Sequence, residues 1–177
     1  MEHLEAVEGN LIVLQQAAEL LRRMDDRTYA TTAGGEGQSP VGVHFRHILD
    51  HYSAFLRGLP EGAIDYDARE RHGPLETDRG LALATVLGFI TDIGGIPGEL
   101  AARPLSVSLR SVADRGHAPD WSQSSLKREL QFLVSHTVHH YALIKHILTP
   151  AGFETGEGFG IAPSTLAARG NSIECAR

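Results

Sequence analysis

Apolar residues recur at steps of three and four in four separate stretches of the chain. Each such stripe predicts an amphipathic helix that buries one face. Gly94, Gly95 and Pro97 fall inside the third stretch, so that helix is expected to break or kink there. The four predicted helices lie near residues 3–24, 40–57, 77–101 and 124–149.

A different pattern precedes the last helix. Leu105, Val107 and Leu109 alternate with polar residues, which predicts a short extended segment, with a partner strand around Trp121. The glycine-rich tail over 152–177 is expected to pack across one end of the helices. Four long helices with little strand predict an all-α, up-and-down four-helix bundle, formed by a single domain over residues 1–177.

The charge balance bears on the choice of partner. Sixteen basic and twenty-two acidic residues give a net charge of −6, which disfavours a nucleic-acid partner. No apolar run has the length of a membrane span, and no signal-peptide pattern precedes the first helix, so we expect a cytoplasmic protein without a membrane partner. The single cysteine, Cys175, cannot form an internal disulfide, and we assign it no role.

The unusual feature is the histidine content. Six of the ten histidines fall in two short clusters, one in the second predicted helix and one in the fourth. His136 and His140 are four residues apart, so they lie on one face of the fourth helix, where they can hold one metal ion. Phe132, Leu143 and Ile147 lie near the same face, which predicts that this pair points inward.

The second helix carries His44, His47 and His51, spaced to share one broad face. One of them can reach across the helices and complete a three-histidine site. Three protein ligands with water in an open position are typical of a reactive metal site. The alternative is that these histidines are ordinary core or surface residues.

Two segments resemble the histidine motifs of the DinB-like superfamily. They are the stretch from Ser39 to His51, SPVGVHFRHILDH, and the stretch from His136 to His140, HTVHH. The resemblance implies that one histidine of the second helix and the His-x-x-x-His pair bind zinc, nickel or a related divalent ion. Carried over residue by residue, the ligands are His47, His136 and His140, with His51 and then His44 as alternatives to His47.

The same resemblance implies an activity. Similar proteins include transferases and isomerases that use low-molecular-weight thiols, so we expect a metal-dependent transferase or hydrolase that acts on a small molecule. Its catalytic residues are not identified by the sequence. Two alternatives are a non-catalytic metal-binding bundle and a bundle that serves dimerisation or partner binding. A homodimer fits any of the three.

Charged residues near the second helix have two interpretations each. Asp50 could accept a hydrogen bond from a ligand histidine such as His47, or it could pair with Arg46 on a solvated helix face. Arg69 and Arg71 could bind an anionic substrate, or they could belong to a solvated run of charges.

Overall fold

The computed structural model describes residues 4–32, 39–112 and 118–174, and all structural statements below refer to these ranges. They contain helices and three short strands. The helices are α1 (Glu5–Arg23), α2 (Asp26–Tyr29), α3 (Val41–Gly58), α4 (Arg79–Gly94), α5 (Leu126–Leu148) and α6 (Pro163–Glu174). The strands are β1 (Ala63–Asp65), β2 (Pro104–Ser108) and β3 (Trp121–Ser125).

The long helices α1, α3, α4 and α5 pack around one apolar core. Helix α1 contacts α4 and α5, and α3 contacts the same two helices from the other side. The stripe that predicted α1 is the face it buries, since Val7, Leu14 and Leu21 are inaccessible to solvent. Burying such a stripe is the main source of stability for helices of this kind.

A buried polar network ties three of these helices together. The side-chain amide of Asn10 in α1 donates to the carbonyl oxygens of Ala6, at 2.7 Å, and of Leu130 in α5, at 2.9 Å. The hydroxyl of Tyr52 in α3 donates to Oδ1 of Asn10 at 2.6 Å. Because an unpaired buried amide is costly, this network favours one relative placement of α1, α3 and α5.

The three strands form a small mixed sheet in the order β1-β2-β3. Strands β1 and β2 are parallel, with Ile64 opposite Val107, and β2 and β3 are antiparallel, with Ser106 opposite Gln123. Ile64 is buried, so the sheet adds to the core. Strand β3 leads directly into α5, whose first turn is capped by the Ser125 side chain.

The prediction of an all-α four-helix bundle is therefore wrong. The extended segment expected near Leu105 forms β2, and its partner begins at Trp121, but β2 also pairs with β1, a strand that was not predicted. Strand β1 has three residues, too few for an alternating pattern to be recognised. It exists because its backbone groups find partners in β2, which is a tertiary effect.

Other parts of the chain differ from the prediction in detail. Helix α4 ends at Gly94, and a short 3-10 turn follows at Gly98–Leu100 in place of continued helix. Leu109 lies beyond the end of β2 and is exposed. The tail contains a helix, α6, that was not predicted, and Phe159 of the tail stacks on the Tyr141 ring with centroids 4.2 Å apart.

Two expectations concern membranes and the cysteine. Among the residues described, no helix combines the length and the apolar character needed to cross a membrane. Cys175 lies outside the described residues.

A matched pair of glycine substitutions tests the packing of α3. A Cβ at Gly42 would overlap the carbonyl oxygen of Glu76 and lie 2.7 Å from Tyr29 Cε1, whereas nothing lies within 4 Å of one at Gly88 in α4. We expect Gly42→Ala to lower the free energy of unfolding by about 1–3 kcal/mol through overpacking. We expect Gly88→Ala to raise it by about 0.5–1 kcal/mol through helix propensity. Urea unfolding measures both, and a Gly42→Ala protein as stable as the wild type would contradict this packing.

Candidate metal centre

Three histidines converge where α3 faces α5. His47 comes from α3, and His136 and His140 come from successive turns of α5. The ring centroid of His47 lies 5.0 Å from that of His136 and 4.7 Å from that of His140, and the two α5 rings are 4.7 Å apart. Each ring offers one nitrogen, and these three nitrogens lie within 4.8 Å of one another. The structure thus brings together the three residues singled out from the sequence.

The donor set fits a divalent ion of the zinc or nickel type. Nitrogens bound tetrahedrally at about 2.0–2.1 Å from one ion lie about 3.3–3.4 Å apart, so small ring rotations would close this group around a metal. His136 Nδ1 is buried and has no hydrogen-bond partner among the described residues. A buried polar atom without a partner is unfavourable, and ligation within this group would compensate His136 for its burial.

The electrostatics of the cluster keep its rings neutral. Burial, followed by the neighbouring histidines, lowers the pKa of His47 to about 3 and that of His140 to about 4. The same causes lower the pKa of His136 to about 2. A neutral imidazole has a lone pair free for a metal, whereas a protonated one does not. At neutral pH all three rings are therefore competent ligands.

The other two histidines of α3 border this group without belonging to it. His44 Nδ1 lies 3.1 Å from His140 Nδ1, so one ring donates a hydrogen bond to the other, and Nε2 of His140 is left for a ligand. His51 is buried, and its Nδ1 donates to the carbonyl oxygen of His47 at 2.8 Å. Its ring centroid is 4.1 Å from that of His136. Both alternatives to His47 thus lie next to the group of three.

Aromatic residues close one side of the cluster. Phe132 stacks on His136 with centroids 5.6 Å apart, and Tyr66 stacks on His51 at 5.6 Å. The hydroxyl of Tyr66 donates to the buried carboxylate of Glu129 at 3.0 Å. Neither Tyr66 nor Glu129 was predicted from the sequence, because neither lies in a recognisable motif and their contact spans 63 positions.

Three apolar residues of α5 were expected to lie on the inward face with His136 and His140, and two of them do. Phe132 packs against the cluster and Ile147 is buried, but Leu143 is exposed. His139, between the two ligand candidates in sequence, is also exposed. The cluster therefore lies at the edge of the core, with its rings half-buried and within reach of solvent.

Asp50 pairs with Arg46, but in a buried environment. Its Oδ2 accepts from Arg46 Nη1 at 2.9 Å, and its side chain is 3% exposed. Oδ1 accepts from the backbone N–H of His72 at 3.3 Å. The i, i+4 pair expected on a solvated face is thus largely removed from water, because the segment before α4 covers it. No hydrogen bond joins Asp50 to a histidine ring of the described residues.

The two arginines considered for anion binding have different surroundings. Arg71 is exposed, and its backbone has a positive φ of 51°. Arg69 is half-buried, and its Nη1 donates to the carbonyl oxygen of Tyr66 at 2.5 Å. Of the two, Arg69 is therefore the one that is partly enclosed by the protein.

Comparison with known proteins gives one partial match. A stretch of 103 residues is 36% identical to FK506-binding protein 5 of Rhizopus delemar; it covers 58% of this chain and 26% of that protein. A match of this extent does not show membership of that protein's family. No family model matches the chain. No solved structure matches it. The resemblance to the DinB-like superfamily stays a prediction from the two histidine motifs.

The lowered histidine pKa values predict how the metal-free protein responds to acid. In the unfolded chain these rings take up protons below about pH 6.5, while the folded rings stay neutral down to their lower pKa values. The unfolded state then binds more protons, so the free energy of unfolding should fall as the pH drops from about 7 to about 5.

Single substitutions separate the cluster from the other histidines in this test. His136→Gln should make the loss of stability with falling pH shallower, whereas His146→Gln, at an exposed position of the same helix, should leave the slope unchanged. Urea unfolding of the metal-free proteins across this pH range measures the slope. Equal slopes in the wild type and His136→Gln would contradict a neutral, buried His136.

Proposed function

We propose that this protein is a divalent-metal-dependent enzyme that acts on a small molecule, with zinc or nickel held by His47, His136 and His140. The observation that carries the proposal is the convergence of three neutral imidazoles from two helices, one of them with a buried nitrogen that lacks a partner. The reaction class is thiol-dependent group transfer or hydrolysis, in keeping with the resemblance of the two histidine motifs.

An enzyme is favoured over a purely structural site by the number of ligands and by their exposure. Structural zinc sites are usually closed by four protein ligands, whereas catalytic sites have three and keep one position open. The three rings are half-buried at the edge of the core, so a small molecule can approach them from solvent. When bound, the metal would lower the pKa of a water or thiol at the open position and polarise an electrophile.

Neighbouring residues would orient the ligands. The hydrogen bond between His44 and His140 fixes which nitrogen of His140 faces the site, as outer partners of metal ligands commonly do. Phe132 and Tyr66 exclude water from one side, which strengthens electrostatic interactions there.

The proposal includes a compartment and a kind of partner. One cysteine allows no internal disulfide, which fits the reducing cytoplasm. The net charge of −6 gives no general attraction to phosphate, so the partner is a small molecule and not DNA or RNA.

Alanine substitutions test the metal site. We expect the wild type to bind about one zinc or nickel ion per chain, and His136→Ala or His140→Ala to remove most of it, because two imidazoles hold a metal far less tightly than three. His47→Ala should do the same. His139→Ala is the matched control, since His139 is exposed on the same helix, and it should keep the metal.

Elemental analysis after dialysis gives the metal content, and circular dichroism checks that helix content is unchanged. The site would be refuted by a His136→Ala/His140→Ala double variant that binds as much metal as the wild type.

An activity screen separates an enzyme from a metal-binding protein without catalysis. The metal-loaded wild type is assayed with low-molecular-weight thiols and electrophilic acceptors, and separately with activated esters, against His136→Ala as the control. Turnover that depends on His136 supports the enzyme. Full metal content without turnover on either substrate class favours the non-catalytic alternative.

A further inference from the structure

Arg69 lies beside the histidine cluster. Its Nη1 donates to the carbonyl oxygen of Tyr66, and the ring of Tyr66 stacks on His51. The positive charge of Arg69 is near enough to lower the pKa of both His47 and His51. A half-buried guanidinium therefore lies near His51 and near His47, one of the proposed metal ligands.

This guanidinium has no anionic partner in the described part of the chain. Arg46 pairs with Asp50 and Glu76, and Arg57 pairs with Glu70, but no such ion pair involves Arg69. Its Nε is buried and makes no hydrogen bond to any residue of the described ranges. Burial also lowers the pKa of Arg69, more than any neighbouring charge does. A buried arginine is normally paired, so an unpaired one marks a place where an anion would be stabilised.

The segment that carries Arg69 is anchored on both sides. Asp65 Oδ1 accepts from the backbone N–H groups of Asp67, at 2.9 Å, and Ala68, at 3.1 Å. On the other side, the backbone N–H of His72 donates to Asp50 at 3.3 Å. These bonds hold the backbone around Arg69 in place, and binding sites benefit from such preorganisation.

We propose that Arg69 binds the carboxylate of an anionic substrate and holds it beside the three-histidine metal site. The inference rests on the proposed function and names its substrate class. A planar guanidinium pairs with a carboxylate through two parallel hydrogen bonds, and rotation of the Arg69 side chain would bring Nε into such a pair.

A carboxylate suits this site better than a phosphate. Arg71, Asp67 and Asp50 are all near enough to act on the charge of Arg69, and Arg46 is neutralised by its own two carboxylates. The local excess of positive charge is thus small, which suits a monoanion and disfavours a phosphate dianion.

The test uses acetate as the probe and acetamide as its neutral counterpart. Cobalt(II) replaces the native metal, because its visible spectrum reports on groups bound at or next to it. We expect acetate to change the spectrum of the wild type and acetamide not to. Arg69→Gln should weaken acetate binding about tenfold, the loss expected for a charge-assisted hydrogen bond, and Arg69→Lys should weaken it less.

Arg71→Gln is the matched control, because Arg71 is two residues away, exposed and outside the cluster. It should lower the affinity for acetate far less than Arg69→Gln does. Cobalt content is measured for every variant, so that loss of metal is not mistaken for loss of the anion site. The inference is overturned if Arg69→Gln binds cobalt and acetate as the wild type does, or if Arg71→Gln has the larger effect.

A metal-free arm distinguishes failure of the inference from failure of the proposed function. If the wild type binds no cobalt, the proposed metal site is refuted. The carboxylate site is then tested by itself, through the Nε–Hε resonance of Arg69 in ¹⁵N-labelled protein. That resonance is assigned by its absence from Arg69→Gln. A shift with acetate but not with acetamide supports the carboxylate site without the metal, and no shift rules it out.

Discussion

The candidate site depends on the packing of α3 against α5 through a face that carries imidazole rings in place of aliphatic side chains. Five histidines meet there, and burial together with mutual repulsion prevents the three at the centre from taking up protons at neutral pH. An aliphatic seam would be more stable, because it leaves no polar atom to satisfy. The helices can nevertheless pack in this way because the Asn10–Tyr52 network and the apolar core hold them together nearby.

The histidine rings and the charged side chains near them differ in whether their charges are compensated. The rings themselves are neutral. The charges of Arg46 and Asp50 compensate each other in an ion pair, which the segment before α4 covers. Arg69 is different because, within the described ranges, its guanidinium lies near the cluster and makes no ion pair with a carboxylate. Under the proposed function, this arrangement would attract an anion without strongly repelling a metal, since the proposed ligands carry no charge of their own.

The helices could be predicted from the sequence because their apolar residues repeat at the helical period. For the sheet, the alternation of apolar and polar residues predicted the segment that forms β2, but it did not predict β1. Strand β1 has a single buried residue, Ile64, and β3 reads Trp-Ser-Gln-Ser-Ser with no apolar alternation, so neither strand carries a periodic signal. Both segments become strands because their backbones pair with β2. For β1, that pairing joins residues about forty positions apart, and no local pattern encodes such a contact.

The part of the candidate site that could be predicted from the sequence is the part that follows from helix geometry. The i, i+4 spacing places His136 and His140 on one face whatever the rest of the chain does, so this pair follows from helix geometry alone. Choosing His47 over its neighbours one turn away required the register of α3 against α5, which spacing leaves open, and only the motif resemblance favoured it. The surrounding contacts, His44 with His140 and Tyr66 with Glu129, join distant positions. They determine which nitrogen of a ring faces the site and how far water is excluded from it, so the geometry of the candidate site depends on contacts that the sequence pattern does not reveal.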